Sequence, residues 1–206
     1  MESSSDFADA TFSVTGDLLP IDHGYALFSA VSRLVPQIHE HPAWGLQTIP
    51  GRQAEKGLLS LGKSSALRVR LPTEHVGFLF PLIGAQLNVA NHELRVGTLT
   101  LHPLVPAASL WSKFVTAKGH LEPETFSNQI QTQLAEIEDL GQEPSSIELL
   151  VAHRRIMRIK GKKIVGFVVE AHGLEAQASL RLQQVGLGGR RHMGAGLFIK
   201  KTRREP

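Results

Sequence analysis

The amino-acid sequence predicts an α+β protein in which the order strand, helix, strand, strand, helix, strand occurs twice. Three observations predict this architecture. Strand and helix periodicities follow that order in the first half of the 206 residues, they follow it again in the second half, and Pro103 and Pro106 separate the halves. A βαββαβ unit is typical of ferredoxin-like (RRM-like) domains. We therefore predict two such domains in tandem, over residues 1–102 and 107–206.

In the first half, residues 7–19 predict a strand and Tyr25–Val35 an amphipathic helix that Pro36 ends, with Asp22 as its N-cap. Pro72 opens a second predicted helix, whose apolar face carries Val76, Leu79, Phe80 and Ile83. Short apolar or alternating segments predict the remaining strands, at residues 45–49, 58–61, 67–71, 87–89 and 94–96.

The second half begins with a predicted strand at residues 110–117. Pro123 then occupies the first position of a helix with Phe126, Ile130, Leu134 and Ile137 on one face. Two strands follow at residues 147–159 and 163–171, joined by a turn at Gly161. The last helix, residues 174–185, stops at Gly186, and residues 195–199 form the final strand.

Composition excludes several classes of protein. With 42% hydrophobic residues the chain can bury a core, and it contains no apolar run long enough to cross a bilayer. The N-terminus has neither the basic nor the apolar region of a signal peptide, so we expect a cytoplasmic protein. The absence of cysteine excludes disulfides, thiolate metal sites and cysteine nucleophiles.

Charge is distributed unevenly along the chain. From Leu150 onward there are 13 Lys and Arg against 3 Asp and Glu, whereas the preceding residues hold 9 and 16. This asymmetry predicts a polyanionic partner that binds the second half, and its alternative is a solvated basic face without a partner.

Residues 57–64 match the P-loop pattern GxxxxGKS, but their surroundings do not. A P-loop needs a buried strand before it and a helix after it, whereas this segment follows polar residues and leads into a strand. We therefore interpret its glycines as turn residues.

Two basic segments of the second half are candidates for binding phosphate. Residues 153–167 form a predicted basic ribbon of two strands, with Ile156, Ile159, Ile164 and Val165 towards the core. Residues 186–198, the glycine loop, hold five glycines around Arg190, Arg191 and His192. Backbone N–H groups of such a loop can form an anion-binding nest beside its cationic side chains. The predicted RNA-binding residues are Arg154, Arg155, Arg158, Lys160, Lys162, Lys163, Gly186, Gly188, Gly189, Arg190, Arg191 and His192.

The glycine loop, with its form GLGGRRxMGxGLF after a second ferredoxin-like unit, resembles that of the CRISPR-associated endoribonucleases that cut precursor CRISPR RNA. Residues 19–25 (LPIDHGY) and 38–40 (IHE) resemble the Myxococcus-type subgroup of that family. The resemblance implies a metal-independent endoribonuclease without a cofactor, which binds a repeat stem-loop through its second domain. The 2′-hydroxyl of the RNA attacks, and the 5′ fragment keeps a 2′,3′-cyclic phosphate.

This chemistry needs a general base, a general acid and positive charge, and histidine suits the first two roles. In the enzymes that this chain resembles, a histidine in or just after the first helix is the usual catalytic group, which makes His39 of the first domain the first candidate for the general base. His23 is the second, because Asp22 could orient its ring. Simpler roles are helix-end electrostatics for His39 and N-capping by Asp22.

Other features of the family are missing. Some relatives have a tyrosine in the first helix and a lysine soon after the histidine, where this chain offers Ser32 and no lysine before Lys56. Arg52 or an arginine of the glycine loop is then the alternative source of positive charge. We expect no metal site at residues 39–41, since neighbours two positions apart diverge on a helix.

The sequence thus predicts an endoribonuclease that processes precursor CRISPR RNA, with repeat RNA and other proteins of a CRISPR effector complex as partners and no membrane partner. The first alternative is a catalytically inactive RNA-binding subunit of such a complex. A regulator that binds small molecules would leave the basic second half unexplained.

Overall fold

The computed structural model describes residues 7–54 and 57–200, which divide into two compact units. The first unit comprises the described residues up to Pro103 together with Arg191–Gly194, and the second comprises Leu104–Arg190 and residues 195–200. Four residues of the glycine loop therefore belong to the first unit, although they lie within the sequence range predicted for the second domain.

The first unit contains a five-stranded antiparallel sheet and a three-stranded one. The strands of the two sheets are β1 (Phe7–Thr15), β2 (Leu18–Pro20), β3 (Gly45–Gln47), β4 (Arg52–Gln53), β5 (Leu58–Ser60), β6 (Ala66–Pro72), β7 (Gln86–Val89) and β8 (His92–Pro103). Their order is β3-β6-β1-β8-β7 in the larger sheet and β2-β5-β4 in the smaller one. The larger sheet thus has the ferredoxin-like order β3-β6-β1-β8, with β7 added at one edge.

The first helix, α1, covers Gly24–Leu34 and packs Leu27 and Val31 into the core of this unit. The predicted N-cap is wrong, because His23 and not Asp22 occupies the N-cap position, and it makes no capping hydrogen bond through its side chain. After α1, Pro36 opens a 3-10 turn that covers Pro36–His39.

The predicted second helix is a 3-10 helix, Thr73–Leu82, with Pro81 inside it. Three residues per turn place Val76, Leu79 and Leu82 on the buried face. Phe80 and Ile83, which we expected in the core, are 58% and 49% exposed, because the expectation assumed the 3.6-residue period of an α-helix.

In the P-loop-like segment, Leu58–Ser60 is β5 and Ser65 N–H donates to the Gly62 carbonyl at 2.9 Å, which confirms a turn.

The second unit is a four-stranded antiparallel sheet in the ferredoxin-like order β10-β11-β9-β12. Its core joins Phe126 of one helix to Phe167 of the sheet, with ring centroids 4.6 Å apart. Gly186, with φ 68°, ends the last helix as predicted. The elements are β9 (Ser109–Val115), α2 (Pro123–Ala135), a 3-10 turn (Pro144–Ser146), β10 (Glu148–Ile159), β11 (Lys162–His172), α3 (Ala176–Val185) and β12 (Ile199–Lys200). The tandem ferredoxin-like fold is thus confirmed.

The basic ribbon, formed by parts of β10 and β11, departs from its predicted register. Ile156 is 54% exposed, whereas the neighbouring Met157 is buried. A register shift in β10 between Val151 and Arg154 explains the error, because an extra residue exchanges the two faces of the strand beyond it.

Within the described residues, none of the helices has the length and apolar character needed to cross a membrane.

An ion pair between a buried guanidinium and a half-buried carboxylate joins two neighbouring interior strands of the first unit. Asp9 on β1 lies opposite Arg70 on β6, and its carboxylate accepts two hydrogen bonds from the guanidinium, at 2.7 and 2.8 Å. We expect Asp9→Asn to lower the free energy of unfolding by roughly 3 kcal/mol, because it leaves a buried cation without its carboxylate. Chemical denaturation measures the change, with Asp17→Asn on the surface as control. Equal stability of the two variants would contradict this role for the pair.

Candidate active site and nucleic-acid groove

The glycine loop packs its backbone inward. Gly188 N–H donates to Gln133 Oε1 at 2.7 Å, Gly189 N–H donates to the Thr116 carbonyl at 3.3 Å, and Gly186 N–H closes the end of α3. These three amides therefore do not form the anion-binding nest that the sequence suggested. Gly188 instead allows close packing, since a Cβ at this position would overlap the Thr116 carbonyl oxygen.

A groove of about 530 Å³ lies beside this part of the loop in the second unit. Its cationic side chains come from three segments, namely Lys118 after β9, Lys163 of the basic ribbon and Arg190 of the glycine loop. All three residues are exposed. The structure thus brings the ribbon and the loop together at one basic surface, as a phosphate backbone would require.

The basic ribbon presents its cations to solvent. The exposed residues are Arg154, Arg155, Arg158, Lys160, Lys162 and Lys163. Arg158 and Lys163 lie directly opposite each other in the hairpin, which places two cationic side chains side by side on this exposed surface. Burial, together with the charge of Arg155, lowers the pKa of Lys113 on the adjacent β9 to about 8.

The two adjacent arginines of the loop have different environments. Arg190, in the second unit, is exposed and has a left-handed φ of 66°. Arg191, in the first unit, is buried, and its Nε donates to the Ala43 carbonyl at 3.2 Å. Burial and the nearby Arg70 lower the pKa of Arg191 to about 9. Arg190 is thus available to an anion, whereas Arg191 anchors the loop within the first unit.

His39 is exposed at the end of the 3-10 turn that follows α1. Its imidazole meets the ring of Phe28 edge to face, with the centroids 5.1 Å apart. The turn fixes the backbone, and the imidazole packs against the phenyl ring while it remains exposed to solvent.

His192, from the glycine loop, stacks on the same Phe28 ring, with centroids 5.5 Å apart and planes 11° from parallel. Its Nε2 donates a hydrogen bond of 3.0 Å to the His41 carbonyl. Burial lowers the pKa of His192, and the charges of Arg191 and His39 lower it further, against the opposing effect of the hydrogen bond to His41. Phe28 thus joins two imidazoles, His39 and His192, which we term the imidazole pair.

His23, the second predicted base, has a structural environment. The side chain is 1% exposed. Its Nδ1 is 2.7 Å from the Pro20 carbonyl and its Nε2 accepts the Ile49 N–H at 2.9 Å. Both nitrogens are committed to backbone groups, so His23 fixes the entry to α1 and is not available as a base.

A second group of rings lies beside the imidazole pair in the first unit. His41 stacks on Trp44 at 4.8 Å, and Trp44 Nε1 donates to His75 Nδ1 at 3.2 Å. Phe78 completes the group and is 41% exposed. The carbonyl that holds His192 therefore belongs to a residue whose own ring is fixed by packing.

Sequence reasoning missed Phe28 and the pairing of His192 with His39. The sequence places Phe28 on the apolar stripe of the first helix, together with Leu27 and Val31, and the structure packs it partly against the core. Its stacking with His192, which lies far away in the chain, left no local signal. Of the other candidates for positive charge, Arg52 is exposed on β4.

The fold and this site define a tandem ferredoxin-like protein with an imidazole pair and a basic groove. The family model described as Cas6 Crispr matches residues 8–203, so the chain belongs to the Cas6 family, as the resemblance predicted. A similar protein is the CRISPR-associated endonuclease Cas6 of Myxococcus xanthus (strain DK1622), 43% identical over 197 residues that cover 96% of this chain and 83% of the relative.

Solved structures share the fold at low sequence identity. The product of a Cas6-related gene from Pyrococcus furiosus aligns with a TM-score of 0.68 at 14% identity, over 97% of this chain and 99% of its own. Thermus thermophilus Cse3, solved with an RNA that represents a pre-cleavage complex, aligns with a TM-score of 0.51 at 12% identity, over 94% of this chain and 98% of its own.

The packing of the glycine loop predicts that substitutions at two neighbouring glycines lower the free energy of unfolding by different amounts. Gly188→Ala should lower the free energy of unfolding by at least about 2 kcal/mol, because φ at Gly188 is +73° and the new Cβ overlaps the Thr116 carbonyl. Gly189→Ala should change it little, since nothing lies within 4 Å of a Cβ there. Thermal and denaturant unfolding of both variants measures the difference. A Gly188→Ala variant as stable as Gly189→Ala would contradict the inward packing of the loop.

Proposed function

We propose that this chain is a metal-independent endoribonuclease that binds CRISPR repeat RNA and cuts precursor CRISPR RNA into guide RNAs. The observation that carries the proposal is the imidazole pair on Phe28, in a member of the Cas6 family. The name of the Myxococcus relative, a CRISPR-associated endonuclease, supports the same activity. The proposed site of action is the cytoplasm, and the cut RNA passes to other proteins of a CRISPR effector complex.

The proposed reaction uses the RNA's own 2′-hydroxyl as nucleophile. Its oxygen attacks the adjacent phosphorus, the bond to the 5′-oxygen breaks, and the products are a 2′,3′-cyclic phosphate and a 5′-hydroxyl. One group must accept the proton of the 2′-hydroxyl and another must protonate the leaving oxygen. His39 is an exposed imidazole that a neighbouring ring supports, and we assign it to proton transfer at this phosphate. His23 has no part in this assignment.

The proposed RNA contacts lie in the second unit. Lys118, Lys163 and Arg190 in the groove, together with the exposed arginines and lysines of the basic ribbon, contact phosphates of the repeat stem-loop. Gly186, Gly188 and Gly189 shape the loop and do not donate to RNA, because their amides bond within the protein. Arg191 holds the loop in place.

Cleavage of a repeat RNA in EDTA tests the reaction. We expect the wild-type protein to cut an all-ribose substrate and to leave a 2′,3′-cyclic phosphate, and to bind but not cut a substrate with a 2′-deoxy nucleotide at the scissile position. Binding of both substrates without cleavage of either would favour the inactive RNA-binding subunit. Cleavage of the deoxy substrate would overturn the proposed nucleophile.

The role of His39 predicts a loss of rate without a loss of affinity. His39→Ala should lower the single-turnover cleavage rate by about 10²–10⁴-fold, the typical contribution of general acid–base catalysis. Affinity for the deoxy substrate should not change. The control is His92→Gln, on β8, which should cut at the wild-type rate. Cleavage by His39→Ala at the wild-type rate would rule out His39.

The groove predicts a change in salt dependence. Arg190→Gln should make the plot of the logarithm of the RNA association constant against the logarithm of the salt concentration less steep, by about 0.7–0.9 in slope, since one phosphate contact is lost. The charge-matched control is Arg181→Gln on α3, whose Nε donates to the Glu138 carbonyl at 2.9 Å. Fluorescence anisotropy with repeat RNA at several salt concentrations gives both slopes. Equal slopes for the two variants would contradict a phosphate contact at Arg190.

A further inference from the structure

The imidazole of His192 is held in one orientation by three contacts within the first unit. Its ring stacks on Phe28, its Nε2–H donates to the His41 carbonyl, and the adjacent Arg191 is anchored on the Ala43 carbonyl. A loop residue that only attracted phosphate would not need such support, because long-range attraction does not depend on ring orientation. Fixed orientation is what proton transfer requires.

We propose that His192 is a second proton-transfer residue of this site, and that its Nδ1 accepts the proton of the attacking 2′-hydroxyl while His39 protonates the leaving 5′-oxygen. The inference rests on the proposed function. It changes the role of His39 from the base expected from the sequence to the acid, and it gives the loop histidine a chemical role in addition to RNA binding.

The hydrogen bond to His41 determines which nitrogen of His192 is basic. A carbonyl oxygen only accepts, so Nε2 carries the proton and the lone pair of the neutral ring is on Nδ1. Among the described residues, the charged groups that face this ring are Arg191 and His39, and both disfavour its protonation. Burial lowers the pKa of His192 most, and together with these two charges it outweighs the hydrogen bond to His41, which raises the pKa. His192 is therefore neutral near pH 7 and can accept a proton.

His39 has the complementary environment. It is exposed and meets the Phe28 ring edge to face, so that its imidazole can exchange protons with solvent. The proton taken by His192 Nδ1 balances the proton given by His39 to the 5′-oxygen, and no other reactant is needed. After cleavage His39 is neutral and His192 is protonated, and exchange with solvent restores both.

The first experiment replaces His192 by glutamine, whose side-chain amide can still donate to the His41 carbonyl but has no basic nitrogen. His192→Gln should cut about 10²–10⁴-fold more slowly at saturating protein, with unchanged affinity for the deoxy substrate. In the wild type the rate should fall as the pH drops through the lowered pKa of His192, below the 6.5 of a free imidazole. This acidic limb should disappear in the variant.

The second experiment assigns the two roles. A substrate with sulfur in place of the bridging 5′-oxygen has a leaving group that needs no acid. His39→Ala should therefore cut it at close to the wild-type rate, whereas His192→Gln should remain slow on it. If the sulfur-containing substrate restores the cleavage rate of His192→Gln and not that of His39→Ala, the assignment of the base and the acid is overturned. His192→Asn is the second variant if thermal unfolding shows that His192→Gln is not folded.

The outcomes separate this inference from the proposed function. If the wild type cuts and His39→Ala does not, but His192→Gln cuts at the wild-type rate, the endoribonuclease stands and the role of His192 is wrong. A His192→Gln variant that loses affinity but cuts bound RNA at the wild-type rate would limit His192 to binding. A wild-type protein that never cuts overturns the proposed function itself.

Discussion

The site depends on the two contacts of the Phe28 ring, with His39 after the first helix and with His192 from the glycine loop. The second contact is possible because glycines line the path of the loop. A Cβ on Gly24 would overlap the Met193 carbonyl oxygen, and Gly194, with φ +84°, lies where a Cβ would be 2.7 Å from Thr48 Cγ2. Gly24 and Gly194 therefore help to place one imidazole beside the other, whereas Gly188, Gly189 and Arg190 of the loop line the groove.

The two units divide the proposed work between binding and chemistry. The second unit holds most of the exposed cations, on a ribbon and a groove whose attraction for RNA does not require precise geometry. The first unit holds the imidazole pair and, beside it, the group of rings around Trp44. Proton transfer requires close contact and a fixed orientation of the reacting groups, which explains why this part is anchored to backbone carbonyls.

Features that depend on local periodicity could be predicted from the sequence. Pro123 and Gly186 mark helix ends correctly, and the order of elements gives the fold. Features that are set by contacts between residues distant in the chain could not be predicted. The register shift before Arg154 exchanged the buried and exposed faces of β10. Pro81 lies in a 3-10 helix, whose period of three residues is shorter than that of the α-helix we expected. His23 is buried between two backbone segments, and His192 stacks on Phe28. In both cases the residues next to them in the chain give no indication of the contact.

The most direct measurement of the central contact is the protonation of His192 in the free protein, from the ¹⁵N chemical shifts of its ring across pH. We predict a neutral ring near pH 7, with the proton on Nε2 because Nε2 donates to the His41 carbonyl. We also predict a pKa below that of free imidazole, because the ring is partly buried and lies near Arg191 and His39, whose effects outweigh the opposing effect of that hydrogen bond. Phe28→Leu should shift this pKa towards the free value. A proton on Nδ1, or an unshifted pKa in the wild type, would contradict the account.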